Sequence, residues 1–169
     1  MELETERLML RELTEDDFPS LCGIIQDDET MYAYEGALSD AEAKEWLFRQ
    51  MDRYENYGFG PLAVILKDTG KLIGQVGLSM QGWKDKEVLE IGYLLNKDYW
   101  HNGYAIEAAL ACNNYAFDVL KAEEVCSIIR DSNVASQNVA KRLGMAKVDE
   151  WVKHYRGVDI PHYLYLVHH

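Results

Sequence analysis

The residues whose types and spacing could do chemistry gather at Trp100-His101-Asn102-Gly103-Tyr104-Ala105, where an aromatic stretch narrows into an alanine-rich run. A helix starting there has N–H groups without an internal partner, and its aligned peptide dipoles leave roughly half a positive charge at that end. Gly103 lets a ligand come close to the backbone and Ala105 adds little bulk. The amides of this turn could therefore cradle a phosphate or pyrophosphate. One glycine before a helix is also the mark of a plain turn, so the neighbours must decide. The five histidines, His101, His154, His162, His168 and His169, have no partner at zinc-site separation, and no metal is assigned. Cys22, Cys112 and Cys126 are an odd set without metal-like spacing, which reads as free buried thiols in a reducing compartment.

The chain has 169 residues, the length of one domain, and residues 1–169 are read as a single unit. A domain of this size hides roughly 70% of its unfolded surface. No stretch approaches the ~20 apolar residues of a membrane helix. The opening MELETERLML is acidic and lacks an apolar core followed by small residues, so no secretory signal is expected and the cytoplasm is the expected location. The formal charge of −12 argues against a nucleic-acid partner. It suits a cationic small substrate or basic protein tail, or it only keeps the chain soluble.

The elements that must position the turn follow from periodicity. RLMLREL (Arg7 to Leu13) alternates like a half-buried strand. Leu21, Ile24 and Ile25 have helical spacing, and Pro19 places the helix start near Asp16 or Asp17. A second helix opens on a capping box, Ser39 with Glu42, and ends at Gly58; Trp46, Leu47, Met51 and Tyr54 form its apolar stripe. Two apolar runs flank Asp68-Thr69-Gly70 as a hairpin, and Val88 to Leu95 makes a third strand. The turn then leads into a helix to about Leu120, with Ile106, Ala109, Leu110, Phe117 and Leu120 on its buried side. EVCSIIR is a strand, NVASQNVAKRLGM a short helix closed by Gly144, and AKVDEWVKHY with DIPHYLYLV a final antiparallel pair. Val88 to Arg130 is a strand-helix-strand unit, whose strands should be parallel with a right-handed crossover. The expected fold is α/β (α+β), a mixed and mostly antiparallel sheet with helices on both faces.

Trp100 to Ala105 matches the pattern Gln/Arg-x-x-Gly-x-Gly/Ala except at its first position. GYAIEAA resembles the GYATEA of one branch of the same family, LEIGYLL stands where that family has its fourth strand, and RDSNVASQNVAKRLGM resembles its N-x-x-S-x-x-V-x-x-K-L-G-F/M segment. ETERLMLRELTEDDF resembles the branch's opening. The chain therefore resembles the GNAT-superfamily N-acetyltransferases along nearly its whole length, in the branch that includes the ribosomal-protein N-terminal acetyltransferases. The resemblance implies acetyl-CoA as donor and a splayed parallel strand pair that binds it. On matching positions, the backbone of Asn102, Gly103, Tyr104, Ala105 and Ile106 would hold the pyrophosphate. Tyr93, Leu94 and Leu95 would pair with the pantetheine arm and the acetyl carbonyl. Asn133 would bond the pantetheine, and Ser136 would lie near the thiol. Trp100 and His101 depart from the commonest family pattern, and His101 would put a side chain beside the cradle. Lys97, Lys141 and Arg142 could balance CoA charge.

The implied reaction is acetyl transfer to a neutral primary amine. An α-amine of pKa ~7.8 is about a quarter neutral near pH 7.4, whereas a lysine amine of pKa ~10.4 is about a thousandth neutral and needs a base far more. Glu90, spaced like the glutamate base of histone-type members, is the base candidate, acting through water. Many members carry a tyrosine acid four residues before the last helix's closing glycine; here that position is Ala140. Ser136 is the substitute, as a hydrogen-bond donor to sulfur. It could equally cap the helix. Direct transfer needs no cysteine nucleophile. The acceptor site would draw on Tyr32, Tyr34, Glu35, Trp83 and His162, since a glutamate among aromatics suits an ammonium. A homodimer is compatible with the resemblance, and a CoA-binding sensor or scaffold without catalysis is the alternative reading.

Overall fold

The computed structural model describes residues 1–169. Its strands are β1 (Glu2–Glu4), β2 (Leu8–Glu12), β3 (Pro61–Leu66), β4 (Leu72–Trp83), β5 (Lys86–Leu95), β6 (Glu124–Arg130), β7 (Ala146–Tyr155) and β8 (Val158–His168). Its helices are α1 (Phe18–Ile25), α2 (Asp40–Tyr57), α3 (Tyr104–Asp118) and α4 (Val134–Arg142). All eight strands share one sheet in the order β1-β2-β3-β4-β5-β6-β8-β7. Every neighbouring pair is antiparallel except β5 and β6, which run parallel with α3 as their crossover.

Local chemistry sets the helix ends. Ser39 Oγ accepts from the Glu42 amide at 3.2 Å while the Glu42 carboxylate accepts from the Ser39 amide at 3.1 Å, so both orphan donors of the α2 start are satisfied. Gly58, at φ 75°, closes α2. Ahead of α1, the Asp17 carboxylate takes both Arg11 Nη atoms at 2.8 Å and the Thr14 amide at 2.8 Å. Burial pushes the Asp17 carboxyl up, but these bonds outweigh it and hold the group below the usual range.

Strand alternation then builds two cores. Leu8, Leu10, Leu62, Val64, Ile91 and Leu95 face α3 and α4, packing on Ala108, Ala109, Cys112 and Ala116. On the other face Ala63 and Leu94 pack with Leu21, Ile24 and Ile25 of α1 and with Ala43 and Leu47 of α2. Helices thus cover both faces, as the periodicity implied.

Two expectations need correction. Leu110 is 48% exposed rather than buried, because the stripe of α3 that meets the sheet is Ala108, Ala109, Cys112, Asn113, Ala116 and Phe117, and Leu110 lies a further turn of about 100° away from Ala109. Strand β1 precedes the first expected strand. Its three residues are too few to carry a period, and only pairing with β2 makes it a strand.

Candidate active site

The feature that opens a site is the failure of β5 and β6 to stay together. Their ladder consists of one register pair, Glu90 with Cys126. Beyond it the strands diverge, and side chains take over the backbone bonding. The Ile128 amide donates to the Glu90 carboxylate at 3.3 Å, and Ser127 Oγ donates to the Ile91 carbonyl at 2.8 Å. Glu90 therefore spans the apex of the wedge. Burial pushes its carboxyl above the ordinary range, with the Ile128 amide, Lys153, Arg53 and Gln81 opposing.

Since the Ile91 carbonyl faces β6, alternation turns the backbone groups of Tyr93 and Leu95 into the wedge and those of Leu94 toward β4. The Leu95 carbonyl is already taken by the Trp100 indole N–H at 2.9 Å. That bond explains the tryptophan at the first position of the glycine turn: it ties the turn to the end of β5.

At the turn itself, Gly103 is the residue before α3, at φ 79°, and His101 also sits in the left-handed region at φ 63°. The first bond of α3 runs from the Glu107 amide to the Gly103 carbonyl at 3.2 Å, so the amides of residues 103–106 lack helical partners. The Asn102 side chain donates back to the Tyr99 and Trp100 carbonyls at 3.2 and 2.9 Å.

A brace that periodicity could not reveal holds this turn from outside. Arg7 donates through Nη1 to the Asn102 carbonyl at 2.9 Å and through Nε to Glu107 at 2.7 Å, and its guanidinium lies 4.3 Å from the centre of the Tyr104 ring. Thr5 Oγ1 and the Arg7 amide bond the other Glu107 oxygen at 2.6 and 2.9 Å. The only sequence signal was the presence of Arg7 and Glu107 inside two of the quoted family stretches.

A continuous cleft of about 700 Å³ joins turn and wedge, lined by Glu90, Tyr93, Leu94, Leu95 and Asn133 among others. His101, Gly103, Tyr104, Ala105, Ile106 and Ser136 line it too; Asn102 stands behind the wall. Asn133 is the residue that caps α4: its Oδ1 accepts from the Ser136 amide at 3.1 Å and from the Tyr32 hydroxyl at 2.7 Å. Ser136 is therefore not the cap. Its carbonyl accepts from the Tyr93 hydroxyl at 2.6 Å, and its own hydroxyl is left without a protein partner. Ala140 is fully buried.

Tyr32, Tyr34 and His162 reach the cleft. Trp83 does not. It is completely buried in a separate cluster with Val88, Cys126 and Leu164, and its indole donates to Asp149 at 2.9 Å. Glu35 lies at the rim, ion-paired to Arg130. Of the three cations expected near a phosphate, only Arg142 lines the cleft; Lys97 is tied to Asp27 and Glu29 at 3.2 and 2.9 Å. Arg130 and Lys153, not singled out in the sequence, also line it.

The chain matches the family model described as an acetyltransferase (GNAT) domain over residues 7–146. It is 33% identical over 144 residues to the protein YkkB of Bacillus subtilis (strain 168), covering 85% of this chain and 84% of that one. Among solved structures it superposes on a GNAT-family acetyltransferase from Bacillus anthracis with TM-score 0.84 at 22% identity, covering 99% of this chain and 98% of that one. It superposes on the ribosomal-protein-S5-alanine acetyltransferase of Vibrio fischeri with TM-score 0.80 at 20% identity, covering 99% and 96%. At those identities the two structural likenesses speak for the fold.

Proposed function

Because this chain belongs to the GNAT acetyltransferase family, and so is an acetyl-CoA-dependent acetyltransferase, we propose that it moves the acetyl group directly to a primary amine held in the wedge between β5 and β6. The observation that carries the reading is the position of Glu90, a carboxylate at the apex of a cleft whose other end is an unpartnered helix start.

The residues present fit the donor. Gly103 holds a φ that strains any L side chain, and the amides that follow it have no helical partner. In this reading the amides of 103–106 bind the pyrophosphate, with His101 and Arg142 beside it, while Asn102, its carbonyl held by Arg7, shapes the turn from behind. Tyr93 offers both N–H and C=O to the pantetheine arm, Leu95 its N–H alone, and Leu94 packs against the arm. Asn133, with Oδ1 already committed, offers Nδ2. When bound, acetyl-CoA supplies an activated thioester carbonyl. Glu90 takes the amine's proton through a water, and burial suits it to do so by raising its affinity for that proton. Ser136 Oγ, free of protein partners, donates to the departing sulfur.

The test follows CoA release from acetyl-CoA across primary amines. Release with at least one amine, and about a hundredfold loss of kcat on Glu90→Gln with a lysine-type acceptor, is the expected result. Tight acetyl-CoA binding in calorimetry without release from any primary amine would leave only the sensor or scaffold reading.

A further inference from the structure

The acceptor half of the cleft has a charge character that composition does not suggest. Strand alternation puts Glu90, Ile128 and Arg130 on one face, and the β6–β8–β7 rungs place His162 and Trp151 beside Arg130, with Lys153 two residues beyond Trp151 on the same face. Two cations therefore flank the acceptor space of a chain whose net charge is −12.

Neither cation is fully committed. Arg130 uses Nη1 for Glu35 and for the Tyr32 carbonyl, but its Nε is buried with no hydrogen-bond partner. Its Nη2 makes no protein hydrogen bond and, with the side chain 23% exposed, is the guanidinium N–H open to a ligand oxygen. Lys153 enters the cleft without a carboxylate partner, its ammonium 5.8 Å from the Trp83 ring centre and 5.7 Å from that of Trp151. His162, between them, donates Nδ1–H to the Ile160 carbonyl at 2.9 Å, and burial, with Lys153 and Arg130 adding, lowers its pKa despite that bond, so it brings no third positive charge. Arg130 lies two residues, roughly 7 Å of strand, beyond Ile128, whose amide holds Glu90.

We infer that the acceptor carries a carboxylate a few bonds from its reacting amine, the chemistry of an amino acid. The amine stands at Glu90, and the carboxylate stands at the open edge of Arg130 and at Lys153. This rests on the amine-acetyltransferase reading above. With Glu35 taken by Arg130 and Glu90 facing the reacting amine, a polyamine's second ammonium would meet Lys153 and no free carboxylate, whereas a carboxylate supplies an oxygen to Arg130 Nη2 and to Lys153.

The experiment pairs free α-amino acids with their primary amides as acceptors, following CoA release, with calorimetry of acetyl-CoA and of the acids run alongside. Acids should exceed their amides about tenfold or more in kcat/KM. Lys153→Met should raise the acceptor KM about tenfold with a small change in kcat, and Lys153→Arg should restore it. Amides or polyamines used as well as the acids overturn the inference and leave the transferase reading standing. A protein that binds acetyl-CoA yet neither binds nor acetylates any acid overturns it equally. A protein that fails to bind acetyl-CoA removes the transferase reading itself.

Discussion

At the scale of single residues, Glu90 carries opposing demands. It replaces a missing sheet bond by accepting from the Ile128 amide, and it is held where burial disfavours its charge. The unfolded chain releases the Glu90 proton in the ordinary carboxylate range, near pH ~4.3, and the folded chain releases it at higher pH. Between the two values the native state binds more protons, so stability from this group falls as pH rises through the window. In the proposed mechanism activity runs the other way, because only the carboxylate can accept a proton. We therefore expect kcat/KM with a lysine-type acceptor to fall as pH drops through the raised value. Glu90→Gln should lose that limb while melting no lower than the parent at pH 8. A variant that melts well below the parent would point to a role only in closing the wedge. His162 shows the same discipline in reverse: burial lowers its pKa, with the Ile160 carbonyl opposing and Lys153 and Arg130 adding, so the imidazole stands neutral in the cleft.

At the scale of elements, the glycine turn works because two distant segments share it. Helix α3 provides the unpartnered amides, and the start of β2 reaches across with Arg7 to hold the Asn102 carbonyl and Glu107. A side chain at Gly103 would be strained at φ 79° and would put its Cβ 3.4 Å from Arg7 Nη2. Gly103→Ala should cost about 1 kcal/mol of stability, lowering Tm by about 3 °C, and should raise KM for acetyl-CoA several-fold with a smaller change in kcat. An unchanged KM would mean that the turn does not touch the donor. Close approach of a different kind governs Gly74 on β4, where an added Cβ would lie 2.4 Å from the Leu94 carbonyl. The absence of a side chain there lets β4 support the end of β5 as it leaves β6.

At the scale of the whole molecule, no thiol borders the cleft in which the proposed transfer takes place. Cys112 and Cys126 are buried at 0% and 1% exposure, and burial pushes the Cys112 thiol up to about 12 and the Cys126 thiol further out of the thiolate range. Initial-rate lines for the two substrates should therefore intersect, and no acetyl-enzyme should accumulate in quenched reactions with acetyl-CoA alone. Parallel lines, or a trapped acyl-cysteine, would contradict direct transfer. The net charge of −12 is also a property of the whole and not of the cleft, whose lining sets Arg130, Arg142 and Lys153 against the single carboxylate of Glu90.

Periodicity and capping settled most of the elements, because a buried stripe every 3.6 residues or every second residue must face a core wherever that core lies. The Ser39–Glu42 box, Gly58, the β6 boundaries and the crossover from Val88 to Arg130 were all legible on those grounds. So was the glycine turn, since an unpartnered helix start is a local property of the chain. Contacts between segments about a hundred residues apart were not legible. The Arg7–Glu107 brace, the removal of Trp83 from the cleft and the bond from the Tyr32 hydroxyl to Asn133 depend on which side chains the sheet order brings together. The single-rung pairing of β5 with β6 belongs with them. Nothing within Val88–Leu95 or Glu124–Arg130 dictates where two strands part; the carboxylate of Glu90 and the hydroxyl of Ser127, bonded across the gap, decide it only after the fold has formed.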